Sequence, residues 1–152
     1  QRKYILGGHL SQSMDNHKAE DESLQQVTKA TIPASQSDDL IFSLKCVKHL
    51  KSNAIAIVKN QQMIGAGLGQ TSRVDALNQA IEKAKRMGFD LDSSVLASDA
   101  FFPFADCVEI SYNAGIRYIV QPGGSVKDND SIVFCDDHGM AMYFTGIRHF
   151  KH

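Results

Sequence analysis

Apolar residues recur along this chain with two different periods. Leu40, Leu44, Val47 and Leu50 are spaced four, three and three apart, one face of a helix, and Ser37 or Asp38 can cap its start. The spacing predicts a helix ending near Lys51. The β-branched run Ala54–Val58 predicts a strand, Lys59-Asn60 a turn, and Gln62–Ile64 a returning strand. Gly65-Ala66-Gly67-Leu68-Gly69 follows. Thr71-Ser72-Arg73 then opens a helix whose Val74, Leu77, Ile81 and Ala84 share a face, and which stops at Gly88. The last third repeats one unit. Asp106–Ala114 is a helix closed by Gly115, and Ile116–Val120 a strand. After the loop Pro122-Gly123-Gly124-Ser125 come a helix over Asp130–His138, closed by Gly139, and a strand over Met140–Thr145. Helix, glycine, strand, taken twice, requires crossover connections, so the class is α/β with a largely parallel sheet and helices on its faces.

The first 40 residues differ from the rest. All eight Phe lie beyond them. Lys3–Leu6 predicts a short strand ended by Gly7-Gly8, and Ser11–Gln26 a solvated polar connector. A strand this short cannot fold alone and is expected to pair with a sheet edge, on this chain or on a part beyond it.

Composition narrows the classes. At 152 residues the chain has the size of one domain, able to bury a core without disulfide or metal staples. With 43% hydrophobic and 22% charged residues it is neither disordered nor collagen-like. No run approaches the roughly 20 apolar residues a membrane helix needs. A net charge of -1 gives no basic footprint for nucleic acid. Cys46, Cys107 and Cys135 form neither a disulfide framework nor a zinc spacing, which points to a reducing, cytosolic compartment. The sequence opens on Gln1 rather than Met and has no visible signal peptide, as expected of a piece excised from something longer.

Five features carry candidate chemistry. The glycine run before a helix can offer backbone N–H groups to an anion, with Arg73 adding a bidentate grip, or it can be a plain tight turn. It is not a P-loop, since no Gly-Lys-Ser/Thr follows, and its third glycine is misplaced for a dinucleotide fingerprint. Phe101-Phe102-Pro103-Phe104 is either core or an aromatic wall for a flat heterocycle, with Asp99 and Asp106 as polar handles. Gln121–Ser125, after a strand, is a structural turn or a ligand loop. The basic tail Arg148–His152 is frayed, or holds Arg148 at the end of the sheet. Lys48-His49 are neighbours on a helix that do not face the same way, and are expected to be solvated. The other histidines show no metal-ligand spacing.

Lys51-Ser52-Asn53-Ala54-Ile55, Gly65 to Arg73, Ala97 to Phe104, Gln121 to Ser125 and Thr145 to His152 stand in one order at fixed intervals. By these segments the chain, from about Tyr4 to His152, resembles the carboxyl-terminal part of the bifunctional purine-biosynthesis family that combines AICAR formyltransferase with IMP cyclohydrolase. The Ser-Asp-Ala-Phe-Phe-Pro-Phe block and the Arg-His-Phe-x-His ending are its most specific parts. The resemblance implies a cytidine-deaminase-like, three-layer α/β domain with a mixed, largely parallel sheet. Residues 37–152 would be the second of two such halves, and residues 1–36 a strand and polar connector from a missing upstream half. The deaminase zinc signature is absent, as it is in the family, so deamination is not implied.

The activity implied is transfer of a formyl group from 10-formyltetrahydrofolate to the 5-amino group of AICAR, in cytoplasmic de novo IMP synthesis. Ring closure takes place in a separate amino-terminal domain, and the full-length form is expected to be a homodimer, with no nucleic-acid or membrane partner. Asn53, Arg73, Phe101 and Arg148 are implied for AICAR: the arginines on its phosphate or nearby polar groups, Phe101 against its base. Val74, Asp106, Ser125 and Val126 are implied on the folate side. Asp99 is implied in a buried polar site that holds potassium in some relatives. No catalytic residue carries over. The family's Lys-His pair lies in a Lys-His-x-Asn-Pro-Cys-Gly segment that is missing here, and Lys48-His49 does not replace it. Ala105 stands where many relatives carry Arg.

The AICAR amine is delocalised into its ring and carboxamide, so its attack needs a base for the proton and donors for the oxyanion. The chain is therefore expected to be a substrate-binding fragment of the formyltransferase, inactive alone. The alternative is a non-catalytic nucleotide-binding or dimerisation module. An unrelated Rossmann-like enzyme is disfavoured by the failed fingerprint.

Overall fold

A computed structural model describes residues 2–19 and 23–151. Its strands are β1 (Arg2–Ile5), β2 (Gly8–Ser11), β3 (Gln25–Gln26), β4 (Ile55–Lys59), β5 (Gln62–Gly67), β6 (Val95–Ser98), β7 (Tyr118–Gln121) and β8 (Ala141–Phe144). Its α-helices are α1 (Ser37–His49), α2 (Arg73–Arg86), α3 (Asp106–Asn113) and α4 (Asp128–Asp137).

One sheet carries the fold, in the order β3-β8-β7-β6-β4-β5. Strands β6, β7 and β8 run parallel, because α3 and α4 return the chain between them. Strand β4 turns tightly into β5 and lies antiparallel to both β5 and β6, while β3 is antiparallel to β8. The expected α/β class with a mixed sheet is what forms, its parallel part being three neighbouring strands.

Alternation along the strands divides the side chains between two cores. Ile55, Ile57, Leu96, Ile119 and Met142 pack with Leu77 and Ile81 of α2, Val108 of α3 and Cys135 of α4. Ala56, Val95, Ala97, Val120 and Tyr143 pack with Leu40, Leu44 and Val47 of α1. Three layers result, with α1 on one face of the sheet and the other helices on the opposite face. Strand β6 escapes the hydrophobic pattern, because its four residues are all buried and so show no alternation.

Two local readings change. Gly65 and Gly67 lie inside β5 rather than in a loop after it. A Cβ on Gly67 would come within 1.8 Å of the Ala76 carbonyl oxygen, and one on Gly65 within 2.4 Å of that of Ala80. These glycines let α2 lie backbone against backbone on β5, so neither a phosphate loop nor a tight turn describes them. The turn falls at Gly69, with φ of 66°.

The predicted strand Lys3–Leu6 is β1, shifted by one residue. It pairs with β2 across Gly7 in a local hairpin, leaving Tyr4, Ile5, Leu6 and Leu10 exposed. The predicted connector is not wholly solvated. Residues 20–22 lie outside the described ones, but β3 extends the main sheet, and Leu24, Ala30 and Ile32 pack on the α1 side. The Tyr143 hydroxyl accepts the Ile32 N–H at 3.0 Å and lies 2.8 Å from Thr31 Oγ1.

The packing of α2 on β5 has a direct test in urea unfolding. Gly67→Ala is expected to cost about 1–3 kcal/mol, the range for overpacking. Gly8→Ala, whose Cβ would meet nothing within 4 Å, is expected to stay within about 0.5 kcal/mol. Equal effects of the two would count against the close approach.

Candidate functional site

The carboxyl ends of β5, β6, β7 and β8 meet the amino end of β4 at one edge of the sheet, the edge at which α/β sheets usually take ligands. Asp99 follows β6 there and is fully buried. Its Oδ1 accepts the Ala54 N–H at 3.1 Å and a charge-assisted hydrogen bond from Arg73 Nη1. The same nitrogen donates to the Ala54 carbonyl at 3.0 Å, and Nη2 donates to Asn53 Oδ1 at 3.1 Å. Asn53 is fixed in turn through Nδ2, which donates to the Gln70 carbonyl at 2.9 Å.

The amino end of α2 is closed by its own residues. Ser72 Oγ accepts the Asp75 N–H at 3.0 Å and donates to the Asp75 carboxylate at 2.7 Å. The Ser-x-x-Asp spacing is the sequence signal for this box. With Asp75 already placing a negative charge in the first turn, what this end offers an anion is the Arg73 side chain.

Beside it opens a cavity of about 330 Å³, lined by Asn53, Ser72, Arg73, Phe101, Pro103 and Phe150 among others. The Arg148 guanidinium stacks over the Phe101 ring, 4.7 Å from its centroid. Core and wall are both realised in the aromatic block, one residue apart. Phe101 lines the cavity, whereas Phe102 is 0% exposed within the larger core. Gln121 Oε1 accepts the Phe102 N–H at 2.9 Å and so holds the block in place. Phe104 is 59% exposed.

Three of the four residues expected to meet AICAR thus line one cavity, and the fourth, Arg148, stacks on its wall. The four expected on the folate side are not among the residues lining it. Val74 packs half-buried against the larger core. Asp106 opens α3, its Oδ1 accepting the Cys107 N–H at 2.7 Å. Ser125 and Val126 follow β7 in a loop that closes on its own chain: Gly124 and Ser125 donate their N–H groups to Asp128 Oδ2 at 2.6 and 3.1 Å. Val126 is 98% exposed.

The tail is tied down rather than frayed, though His152 lies outside the described residues. The His149 N–H donates to the Asp99 carbonyl at 2.9 Å. Ser52 and Lys151 exchange two bonds, Ser52 N–H to the Lys151 carbonyl at 2.9 Å and Lys151 N–H to Ser52 Oγ at 2.8 Å. His149 Nδ1 lies 2.6 Å from Asp15 Oδ2. Lys48, expected to be solvated, instead lies half-buried, 3.8 Å from Asp15 and bonded to the His17 carbonyl. Sequence spacing could not find these contacts, since each joins segments that lie far apart along the chain.

Burial, with help from Asp106, pushes the Cys107 thiol up to about 12, and burial does the same to Cys135, so neither serves as a nucleophile at neutral pH. Among the described residues no cluster of three or more His, Cys, Asp or Glu could hold a metal, and no helix is long and apolar enough to cross a membrane.

The sequence profile of the AICARFT/IMPCHase bienzyme family matches residues 1–83. The chain belongs to this family. The bifunctional purine biosynthesis protein PurH of Bacteroides thetaiotaomicron is 53% identical over 152 residues, all of this chain and 30% of that protein. PurH of Aquifex aeolicus is 51% identical over 150 residues, covering 99% of this chain and 29% of that protein. The chain therefore spans a little under a third of the length of the bienzymes it matches. Among solved structures, a Thermotoga maritima diaminohydroxyphosphoribosylaminopyrimidine deaminase/5-amino-6-(5-phosphoribosylamino)uracil reductase aligns over 71% of this chain and 33% of that one, at 19% identity and a TM-score of 0.46.

The tie between tail and amino-terminal segment depends on pH. Burial pushes the Asp15 carboxyl up, but His149, the His17 amide and Lys48 together hold it below its ordinary value of 3.8. A carboxyl lowered in the folded state contributes stability above its unfolded value, and loses it as pH falls through the folded one. The Tm difference between wild type and Asp15→Asn is therefore expected to be full near neutral pH and to close as pH falls below 3.8. A difference that survives unchanged in strong acid would remove this contact from the account.

Proposed function

We propose that this chain supplies the AICAR-binding part of a formyltransferase of purine biosynthesis, with 10-formyltetrahydrofolate as co-substrate. The observation that carries this is the cavity where Asn53, Arg73 and Phe101 stand together, with Arg148 on the Phe101 ring. AICAR is a flat aminoimidazole carboxamide on a ribose phosphate. Phe101 suits its ring, Asn53 its amide edge, and the two guanidinium groups its phosphate or nearby polar groups. Val74, Asp106, Ser125 and Val126 would meet the folate outside this cavity. Among the described residues the buried Asp99 Oδ2 has no hydrogen-bond partner, which suits one oxygen ligand of a potassium ion; the ion would add fixed positive charge beside the site.

In the full-length enzyme, residues 37–152 would form the second half of the formyltransferase domain, and residues 1–36 the strand and connector from an upstream half. The exposed Tyr4, Ile5 and Leu6 support this, since a lone two-stranded hairpin is marginal in water. IMP cyclohydrolase activity would belong to another domain of a cytoplasmic homodimer.

The residues lining the cavity can bind and orient, but among the described residues they include no carboxylate, histidine or lysine to take the amine proton. The chain assayed alone with AICAR and 10-formyltetrahydrofolate is therefore expected to give no formyl transfer. Turnover comparable to that of a full-length relative would overturn this.

Phe101 and Phe102 separate binding from packing. Phe102→Ala is expected to cost about 3–5 kcal/mol of stability by opening a core cavity, yet to keep the rise in Tm that AICAR gives the wild type. Phe101→Ala is expected to cost less stability and to lose most of that rise. Thermal melting with and without AICAR reads both, and a full rise in the Phe101 variant would deny the ring its place in the site.

A further inference from the structure

We infer that Asp99 is a positioning residue for ligand binding: it aims the Arg73 guanidinium into the cavity without touching the ligand itself. This rests on the reading of the cavity as an AICAR site, and adds to it what makes Arg73 effective there.

A guanidinium has five N–H donors. Bonds to Asp99 Oδ1, the Ala54 carbonyl and Asn53 Oδ1 use three of them, two from Nη1 and one from Nη2. The remaining two, on Nε and Nη2, are left for a ligand, and Arg73 lines the cavity with only 7% of its surface exposed. Of the three acceptors, Asp99 alone is charged. It is also held from several sides: its N–H donates to the Ala54 carbonyl at 3.3 Å, its Oδ1 accepts the Ala54 N–H, and its carbonyl accepts the His149 N–H. Asp99 is not among the residues lining the cavity. An arginine held this way has already lost the rotamer freedom that binding would otherwise take from it, so its remaining donors meet the ligand preorganised.

The test is a double-mutant cycle on AICAR affinity, measured by calorimetry with wild type, Arg73→Ala, Asp99→Asn and the double variant. Asparagine keeps an acceptor for the Ala54 N–H and removes the charge. Each single change is expected to weaken AICAR about ten-fold or more, the scale of a charge-assisted contact. The double variant is expected to bind no more weakly than Arg73→Ala, because Asp99 has nothing to act through once the guanidinium is gone. The Asp99→Asn loss is expected to be the same size in potassium-free buffer. Additive losses, an unchanged affinity in Asp99→Asn, or a loss seen only with potassium present would each overturn the inference and leave the site standing. A wild-type chain that does not bind AICAR would overturn the site, and this inference with it. Circular dichroism checks folding, and Asp99→Glu, which keeps the charge but moves it by one methylene, enters the same cycle if Asp99→Asn does not fold.

Discussion

A charge inside a protein is expensive unless it is paired and hydrogen-bonded, and Asp99 is the point where this chain meets that constraint. One residue joins four parts of the molecule. It follows β6, its side chain and backbone both bond to Ala54 just before β4, its carboxylate holds Arg73 on α2, and its carbonyl accepts from the tail at His149. Breaking such a pair on one side typically costs about 3–5 kcal/mol, because the partner is left buried and uncompensated. The walls of the cavity are therefore the fold's own joint, and their geometry is specified as tightly as the core's.

The reach of Arg73 to that joint depends on two glycines that do not line the cavity. Gly65 and Gly67 carry no Cβ, so α2 can lie against β5 at backbone distance. A helix held further off would carry its first turn, and Arg73 with it, away from Asn53 and Asp99. The glycine run thus contributes to the site through packing, where its spacing had left an anion site or a plain tight turn as the alternatives.

Much of this was legible because it is local. The four-three-three spacing from Leu40 to Leu50 marks α1, and the glycines that end α3 and α4 mark the crossovers that make three strands parallel. The opposite directions of Phe101 and Phe102 follow from the alternation of an extended chain. What failed is what depends on tertiary partners. The four buried residues of β6 carry no period, and Lys48 looks solvated until the amino-terminal segment brings Asp15, some thirty residues upstream, against it. The segments that carried the family resemblance are separated by up to about a hundred residues, yet Asn53, Arg73, Phe101 and Phe150 line one cavity. Their spacing in sequence had a meaning that no local rule supplies.

The tail completes the cavity, and the amino-terminal segment helps hold the tail in place. Phe150 lines the cavity, and it lies in a tail held by Ser52, Asp99 and Asp15, three partners from three separate segments. An arginine on an aromatic face, a second arginine in a buried pair and an asparagine make a surface suited to a flat, polar, anionic molecule. None of those groups can accept a proton from an amine at neutral pH. Binding and proton removal are therefore separable demands on such an enzyme. On the proposed reading, a chain that spans less than a third of its relatives' length and meets only the first demand would supply one wall of an active site.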